Sequence, residues 1–225
     1  LQRGVKMNVF DFDNTIYDGE SVVDFFLYYC KKDKSLLKYI PSLFKAIIKY
    51  KQGKITVEQA LSKYGTIVSD YLKSHGGIDE EMKAFWDTHM HKIKPFYKDV
   101  QSDDDLIISC SPEFSLEIIC KRLNISRYIG SVIDLDSGEI KRLCFRENKV
   151  KAFFELYPDT QIENFYTDSL NDQPLIDISK NAYLVKGDKI TKIKWGNKMK
   201  AQKLPCPVIN QYLDSYSEPP KFVRI

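Results

Sequence analysis

The sequence lacks the features of a membrane-spanning or exported chain. Its apolar runs are all shorter than the roughly 18 residues that a transmembrane helix needs. Its beginning also lacks the basic and then apolar order of a secretory signal. Its five cysteines form an odd set without a CxxC pair, which argues against both a disulfide framework and a zinc knuckle. We therefore expect reduced thiols and a cytoplasmic protein.

The chain also has little net charge. It carries 34 Lys and Arg residues against 31 Asp and Glu residues, which leaves a formal net charge of +3. This small excess gives no global argument for nucleic-acid binding, so we expect no nucleic-acid partner. Hydrophobic residues make up 43% of the 225 positions and charged residues 29%, as in ordinary soluble globular proteins. A chain of this length can form one good-sized core with a smaller inserted domain.

Short β-prone apolar segments alternate with helical patterns over much of the chain. After a first strand at 5–12, the predicted strands are 106–108, 128–133, 140–144, 162–166 and 182–185. Helices are predicted at 113–123, 148–156 and 170–179. Strands that alternate with helices favour an α/β fold with a parallel sheet covered on both faces. We therefore predict a Rossmann-like core of three layers.

The stretch between the first two strands has a helical pattern throughout. Helices are predicted from Ser21 onward, from Pro41 up to Gly53, at 56–73 and at 79–92. We interpret this stretch as an insertion, which predicts a helical cap at 19–95 and a discontinuous core made of 1–18 and 96–200. Residues 201–225 contain four prolines and are predicted to lie on the surface as a tail.

Polar side chains stand where three of the predicted strands end. Asp11 and Asp13 close the first strand, and because residues two apart in a strand point to the same side, we expect their carboxylates side by side. Ser109 and Asp168 end two further strands, and open α/β sheets bind ligands at such carboxyl ends. Carboxylates around one point repel one another unless a hard cation lies between them, and oxygen ligands suit Mg²⁺. The sequence therefore predicts a magnesium site.

With these residues in place, the sequence resembles the haloacid dehalogenase (HAD) superfamily, and within it the phosphoserine-phosphatase-like branch, subfamily IB. The resemblance covers residues 5–188 and rests on four motifs in the family's order. They are the DxDxT pattern Asp11-Phe12-Asp13-Asn14-Thr15, the strand-ending Ser109, the lysine Lys149 and the acidic run Asp168-Ser169-Leu170-Asn171-Asp172. The runs 109–114 and 166–175 look especially like this branch, which carries a helical cap after its first motif.

The resemblance implies a magnesium-dependent phosphatase that hydrolyses a phosphomonoester through an aspartyl-phosphate intermediate. Asp11 would be the nucleophile, and Asp13 would protonate the leaving alcohol and later deprotonate the water. Ser109 and Lys149 would hold phosphate oxygens. The residues implied for the metal are Asp11, Asp13 through its backbone carbonyl, Asp168 and, in support, Asp172. The residues implied for the substrate are Ser109, Glu20, Cys110 and Asn171.

The resemblance leaves the substrate open. Glu20 stands where phosphoserine phosphatases contact the amino group of their substrate, which would favour an amino-acid phosphate. Between Gly19 and Pro95, however, there is no arginine to hold a substrate carboxylate. In addition, Cys110-Ser111-Pro112 replaces a glycine pair of the true phosphoserine phosphatases. We therefore expect a small phosphorylated metabolite and do not favour phosphoserine.

Two alternative functions stay open. Residues 31–54 hold eight lysines and one acidic residue among apolar positions, a pattern that can bind an anionic membrane surface. Such binding would suit a phosphatase of phospholipid head groups or their precursors, but we favour the simpler interpretation that these lysines are the solvated face of the cap. The second alternative is a catalytically silent scaffold with this fold, which the complete set of motif residues opposes.

Overall fold

The computed structural model describes residues 6–41, 78–137 and 139–193, together with positions 45, 49, 54, 55 and 59. Within these residues one sheet is formed by the strands β1 Lys6–Phe10, β2 Leu106–Pro112, β3 Arg127–Ile133, β4 Ile140–Arg142, β5 Gln161–Thr167, β6 Asn181–Lys186 and β7 Lys189–Lys192. Their spatial order is β4-β3-β2-β1-β5-β6-β7. The tail predicted at 201–225 lies outside the described residues, as do most of the helices predicted between Pro41 and residue 73 and most of the basic stretch 31–54 beyond Pro41.

The sheet is mostly parallel, which confirms the predicted α/β class. β1, β2, β3, β5 and β6 are parallel to one another, whereas the edge strands β4 and β7 pair antiparallel with β3 and β6. β7 is missing from the sequence-based strands because its four residues are all exposed and show no apolar alternation. The turn before it contains Gly187 at φ 58° followed by Asp188, and this dipeptide is a hairpin signal in the sequence.

The helices with defined bounds are α1 Ser21–Lys32, α2 Ile78–His89, α3 Pro95–Val100, α4 Glu113–Arg122, α5 Glu147–Leu156 and α6 Gln173–Ile178. Short 3-10 helices occupy Lys34–Tyr39, Met90–Lys92 and Leu170–Asp172. The helices predicted at 79–92, 113–123 and 148–156 are confirmed, and the one predicted at 170–179 divides into a 3-10 turn and α6. α1 and α2 lie between β1 and β2 in the chain, and their assignment to a separate cap stays a prediction.

Alternate residues of the central strands enter two different hydrophobic cores. Val9 and Leu106 belong to the core that contains Phe153 of α5, whereas Phe10 and Ile107 belong to the core that contains Trp86 of α2. This is the two-face alternation expected of strands buried on both sides. No helix in the described ranges is both long and apolar enough to cross a membrane.

The aromatic core anchors the loop that follows β1. Trp86 meets Phe12 edge to face at 5.9 Å between ring centroids and Tyr17 at 5.6 Å, and all three side chains are fully buried. Aromatic pairs of this geometry stabilise a fold beyond the area that they bury. The loop between β1 and α1 is therefore fixed by packing against α2.

Replacement of Phe153 by alanine tests the packing of α5 on the sheet. Phe153 is fully buried, so Phe153→Ala is expected to lower the free energy of unfolding by about 3–5 kcal/mol. The control is Leu156→Ala on the same helix, whose side chain is 43% exposed and whose loss is expected to cost less than about 1 kcal/mol. Urea denaturation measures both values, and equal effects of the two substitutions would contradict this packing.

Candidate active site

Three neighbouring strands deliver the predicted site residues to one edge of the sheet. Phe10, the last residue of β1, pairs with Ile107 of β2 on one side and with Tyr166 of β5 on the other. Asp11 extends this pairing, because its backbone N–H donates to the Tyr166 carbonyl at 2.9 Å. The residues that follow β1, β2 and β5 therefore meet at the carboxyl edge, where open α/β sheets bind their ligands.

A buried group of charged and polar side chains, which we call the Lys149 cluster, lies at the base of the site at this edge. It consists of Lys149, Asp11, Asp172 and Thr167, all of them buried. The Lys149 ammonium lies 2.9 Å from Asp11 Oδ1 and 2.9 Å from Asp172 Oδ1. Thr167 donates its hydroxyl proton to Asp172 Oδ2 at 2.8 Å. The cluster thus joins β1, β5, α5 and the 3-10 turn at Leu170–Asp172.

Burial and mutual attraction oppose each other in the Lys149 cluster. Burial raises the pKa of Asp11 above its ordinary value, and this outweighs the opposite effect of the Lys149 charge. For Lys149, burial alone would lower the pKa, but the attraction of Asp11 and Asp172 outweighs burial and raises it. The ammonium is therefore held in its charged form beside the proposed nucleophile.

Asp13 lies in a separate group of hydrogen bonds. One of its carboxylate oxygens accepts the backbone N–H of Ser21 at 2.7 Å, and the other accepts the hydroxyl of Ser111 at 2.5 Å. The two serine hydroxyls lie 3.1 Å apart, and the N–H of Ser111 donates to Ser109 Oγ at 3.1 Å. Since Ser21 begins α1 and Ser111 is the last residue but one of β2, the entry to the inserted helices and the second strand together orient this carboxylate. The expectation that Ser109 ends the second strand is wrong, because β2 continues through Ser109 to Pro112.

The environment of Asp13 differs from that of Asp11. Burial raises the pKa of Asp13, and the hydrogen bonds from Ser111 and Ser21 counteract only part of this effect. β1 ends at Phe10, so both aspartates lie in the turn after the strand. The expectation of two carboxylates side by side on one strand is corrected here, because Asp11 turns to a lysine and Asp13 turns to serines.

Asp168 completes the acidic residues at this edge. Its side chain is half-buried, and burial raises its pKa against the opposing charge of Lys186. Lys186 donates to the backbone carbonyl of Asp168, and the buried Lys94 donates to the backbone carbonyl of Asn14. Within the described ranges, the Asp168 carboxylate itself forms no hydrogen bond or ion pair.

The ligand set implied for magnesium, which is Asp11, the backbone carbonyl of Asp13 and Asp168 with Asp172 in support, stays a prediction that the donors at this edge suit. Among the described residues, no three acidic, His or Cys side chains converge on one point, because Asp13 and Asp172 are engaged elsewhere. The carboxylates of Asp11 and Asp168 and the backbone carbonyl of Asp13 are hard oxygen donors of the kind that Mg²⁺ prefers. Burial raises the pKa of both carboxyls, and a cation beside them would offset this effect.

The remaining predicted residues lie around this centre. Glu20 accepts the side-chain N–H of Asn14 at 2.7 Å, so it is tied to the loop after β1. Cys110 is half-buried, its carbonyl accepts the Ser131 hydroxyl at 2.7 Å, and burial raises the pKa of its thiol to about 11. Asn171 is exposed and accepts a hydrogen bond from Arg146 at 3.3 Å. Their roles toward a substrate stay predictions.

Sequence reasoning misses several residues that hold the site together. Ser111 has a detectable signal, because it lies two positions after Ser109 and therefore shares its side of β2. Thr167 directly precedes Asp168 at the end of an apolar strand, so it also could be found. Ser21 and Lys94 carry no local signal, since their contacts with Asp13 and Asn14 join distant parts of the chain.

The chain matches one protein family by sequence and several solved structures by fold. The sequence profile of haloacid dehalogenase-like hydrolases matches residues 9–177. No curated protein sequence gives a significant match. The solved structures described next are less than 25% identical to this chain, so each match shows a shared fold and does not show a shared function. The fold is similar to that of a protein with unknown function from Bordetella pertussis Tohama I, at a TM-score of 0.63 and 17% identity over 80% of this chain and 89% of that one.

Two further structures share the fold at lower similarity. A HAD family hydrolase from Salmonella enterica serovar Typhi has a TM-score of 0.54 and 14% identity, over 80% of this chain and 62% of that one. A phosphoserine phosphohydrolase-like protein from Francisella tularensis has a TM-score of 0.53 and 17% identity, over 79% of this chain and 85% of that one.

Removal of the lysine tests the energetics of the Lys149 cluster. Lys149→Met leaves the Asp11 and Asp172 carboxylates buried without their cation, so the free energy of unfolding is expected to fall by about 3–5 kcal/mol. The control Lys121→Met removes an exposed lysine from α4 and is expected to change stability by less than about 0.5 kcal/mol. Chemical denaturation at neutral pH measures both free energies of unfolding. A Lys149→Met variant as stable as the wild type would show that the carboxylates need no ammonium.

Proposed function

The chain belongs to the haloacid dehalogenase-like hydrolases, and from this premise we propose that it is a magnesium-dependent phosphatase of a small phosphorylated metabolite, with Asp11 as its nucleophile. One observation carries the proposal. The Asp11 carboxylate lies at the carboxyl edge of the sheet, 2.9 Å from a buried lysine ammonium, while the second aspartate of the same turn is held by serines. Two carboxylates in different environments suit the two roles that phosphate-ester hydrolysis requires.

In the first step, a carboxylate oxygen of Asp11 attacks phosphorus and the ester bond to the alcohol breaks. The ammonium of Lys149 fixes the orientation of this carboxylate and balances negative charge on the transferred phosphoryl group. Ser109 Oγ accepts the N–H of Ser111, which leaves its own hydroxyl proton available for a phosphate oxygen. The product of this step is an aspartyl-phosphate on Asp11 and the released alcohol.

Asp13 serves as general acid and then as general base. Its burial favours the protonated form, which can donate a proton to the leaving alcohol. The resulting carboxylate then accepts a proton from the water that attacks the aspartyl-phosphate and releases inorganic phosphate. The hydrogen bonds from Ser21 and Ser111 orient this carboxyl group, whereas Lys149 orients that of Asp11, so the two roles belong to groups with different partners.

The carboxylates of Asp11 and Asp168 and the carbonyl of Asp13 would hold Mg²⁺, which would supply positive charge against the phosphate oxygens. Asp172 supports this set indirectly, because it orients Lys149 and accepts from Thr167. The silent-scaffold alternative would leave unexplained why the carboxylates of Asp11 and Asp172 are buried together at this edge. The lipid-phosphatase alternative depends on residues 31–54, of which most lie outside the described ranges.

Turnover of a generic aryl phosphate tests this proposal. The purified protein is expected to hydrolyse p-nitrophenyl phosphate only with Mg²⁺, and Asp11→Asn is expected to lower kcat by on the order of 10³-fold or more, because the nucleophile is lost. The matched control is Asp99→Asn, an exposed carboxylate on α3, which should keep full activity. Turnover that survives in Asp11→Asn, or inactivity of the wild type on aryl phosphates and on a panel of phosphorylated metabolites, would contradict the proposal.

Ser111→Ala tests the positioning of the general acid. Loss of its hydrogen bond to Asp13 is expected to lower kcat about 10-fold for an alkyl phosphate, whose leaving alcohol needs a proton, but less than about 3-fold for p-nitrophenyl phosphate. Ser115→Ala, a buried serine that donates to Met82 instead, is the control and should leave the ratio of the two substrates unchanged. An equal loss for both substrates would assign Ser111 a purely structural role.

A further inference from the structure

Arg146 holds a backbone conformation that is unfavourable for an arginine. It directly precedes α5 at φ 49° and ψ −121°, a region that L side chains rarely adopt and that glycine enters easily. Such conformations cost free energy, persist only where the surroundings enforce them and cluster at functional sites. Because a glycine would adopt this conformation at lower cost, the presence of an arginine side chain here requires a reason.

The guanidinium of Arg146 is exposed and has no carboxylate partner among the described residues. The other arginines in the described ranges form ion pairs with carboxylates, and these pairs are Arg122–Asp87, Arg127–Asp104 and Arg142–Glu113. Arg146 instead lies over the Phe145 ring at 5.2 Å and donates to Asn171 Oδ1 at 3.3 Å. The hydrogen bond to Asn171 uses one of the five N–H donors of the guanidinium, so most of these donors face solvent.

Arg146 lies on the rim directly beside the Lys149 cluster. The backbone N–H of Lys149 donates to the Arg146 carbonyl at 3.0 Å, which places the two residues one helical turn apart. Lys149 bridges to Asp172 in the buried floor, and Arg146 bridges to the adjacent Asn171 at the exposed surface. Two parallel bridges therefore connect the start of α5 to the 3-10 turn, one charged and buried, the other open to a ligand.

We propose that Arg146 binds a second anionic group of the substrate, a carboxylate or a further phosphate on the part that leaves as the alcohol. This inference rests on the proposed phosphatase function and assigns its substrate class. A guanidinium binds such groups through two parallel hydrogen bonds, and its stacking on Phe145 and its bond to Asn171 orient it before the ligand arrives. Arg146 also supplies a guanidinium, which the stretch from Gly19 to Pro95 lacks although it contains many lysines.

Binding of two matched phosphonates, measured by titration calorimetry with Mg²⁺, tests the inference without requiring turnover. The probes are 3-phosphonopropionate and its amide, which have nearly the same shape and differ in the second negative charge. The wild type is expected to bind the carboxylate about 10- to 100-fold more tightly than the amide, the range for a hydrogen-bonded charged group. Arg146→Gly is expected to remove this preference while the affinity for the amide stays within about 2-fold.

The glycine variant separates recognition from folding. Because glycine relieves the backbone strain, the Tm of Arg146→Gly is expected to equal or exceed that of the wild type, so a loss of preference cannot be attributed to unfolding. Arg146→Lys keeps the charge without the planar fork and should retain part of the preference. The control Arg127→Gln removes an arginine at the start of β3, on the opposite edge of the sheet. This variant should retain the full preference for the carboxylate probe.

Three results would overturn the inference: equal affinity of the wild type for the two probes, no binding of either, or equal weakening of both in Arg146→Gly. The hydrolysis of p-nitrophenyl phosphate is measured on the same preparations. Turnover that needs Asp11 together with no charge preference rejects the role of Arg146 and keeps the phosphatase. An Arg146-dependent preference without turnover of any phosphate rejects the phosphatase and keeps the anion site.

Discussion

The rest of the structure depends on a lysine ammonium buried between two carboxylates. Lys149 comes from α5, Asp11 from the turn after β1 and Asp172 from the turn after β5, so one charged group joins three separate parts of the chain. A buried charge is tolerated only when it is paired with good geometry, because the cost of removing it from water is several kcal/mol. The order of β1, β2 and β5 in the sheet provides this geometry, and the cluster in turn specifies how α5 and the 3-10 turn meet.

The same constraint separates the roles of the two aspartates. Asp11 is held by a cation and stays directed at the floor of the site, whereas Asp13 is held by neutral donors from Ser21 and Ser111. Burial raises the pKa of both carboxyl groups. The Lys149 ammonium opposes this shift at Asp11, whereas at Asp13 the main opposition comes from the hydrogen bonds of the two serines. Because Ser21 begins α1, a group that orients the proposed acid also marks the entry to the inserted helices.

Much of this arrangement could be predicted from the sequence because it depends on local patterns. The ends of β1 and β5 follow from short apolar runs that stop at Asp11 and Asp168, and parallel strands bring such ends to one edge. The apolar run before Ser109 marks β2 but not its end, which lies at Pro112. The contact of Asp13 with Ser21 could not be predicted, since it depends on where the start of α1 lies after folding. The strand β7 could not be predicted because its residues are exposed. The conformation of Arg146 could not be predicted because a positive φ is signalled by glycine or asparagine and not by arginine.

The measurement that tests the central claim most directly is the detection of the covalent intermediate. The protein is mixed with a phosphorylated substrate and Mg²⁺, quenched in acid within the first turnover and mapped by peptide mass spectrometry. The account predicts a phosphoryl group on the peptide that contains Asp11, and none when Asp11 is replaced by asparagine. A phosphoryl group on another residue, or turnover that proceeds without any covalent intermediate, would contradict it.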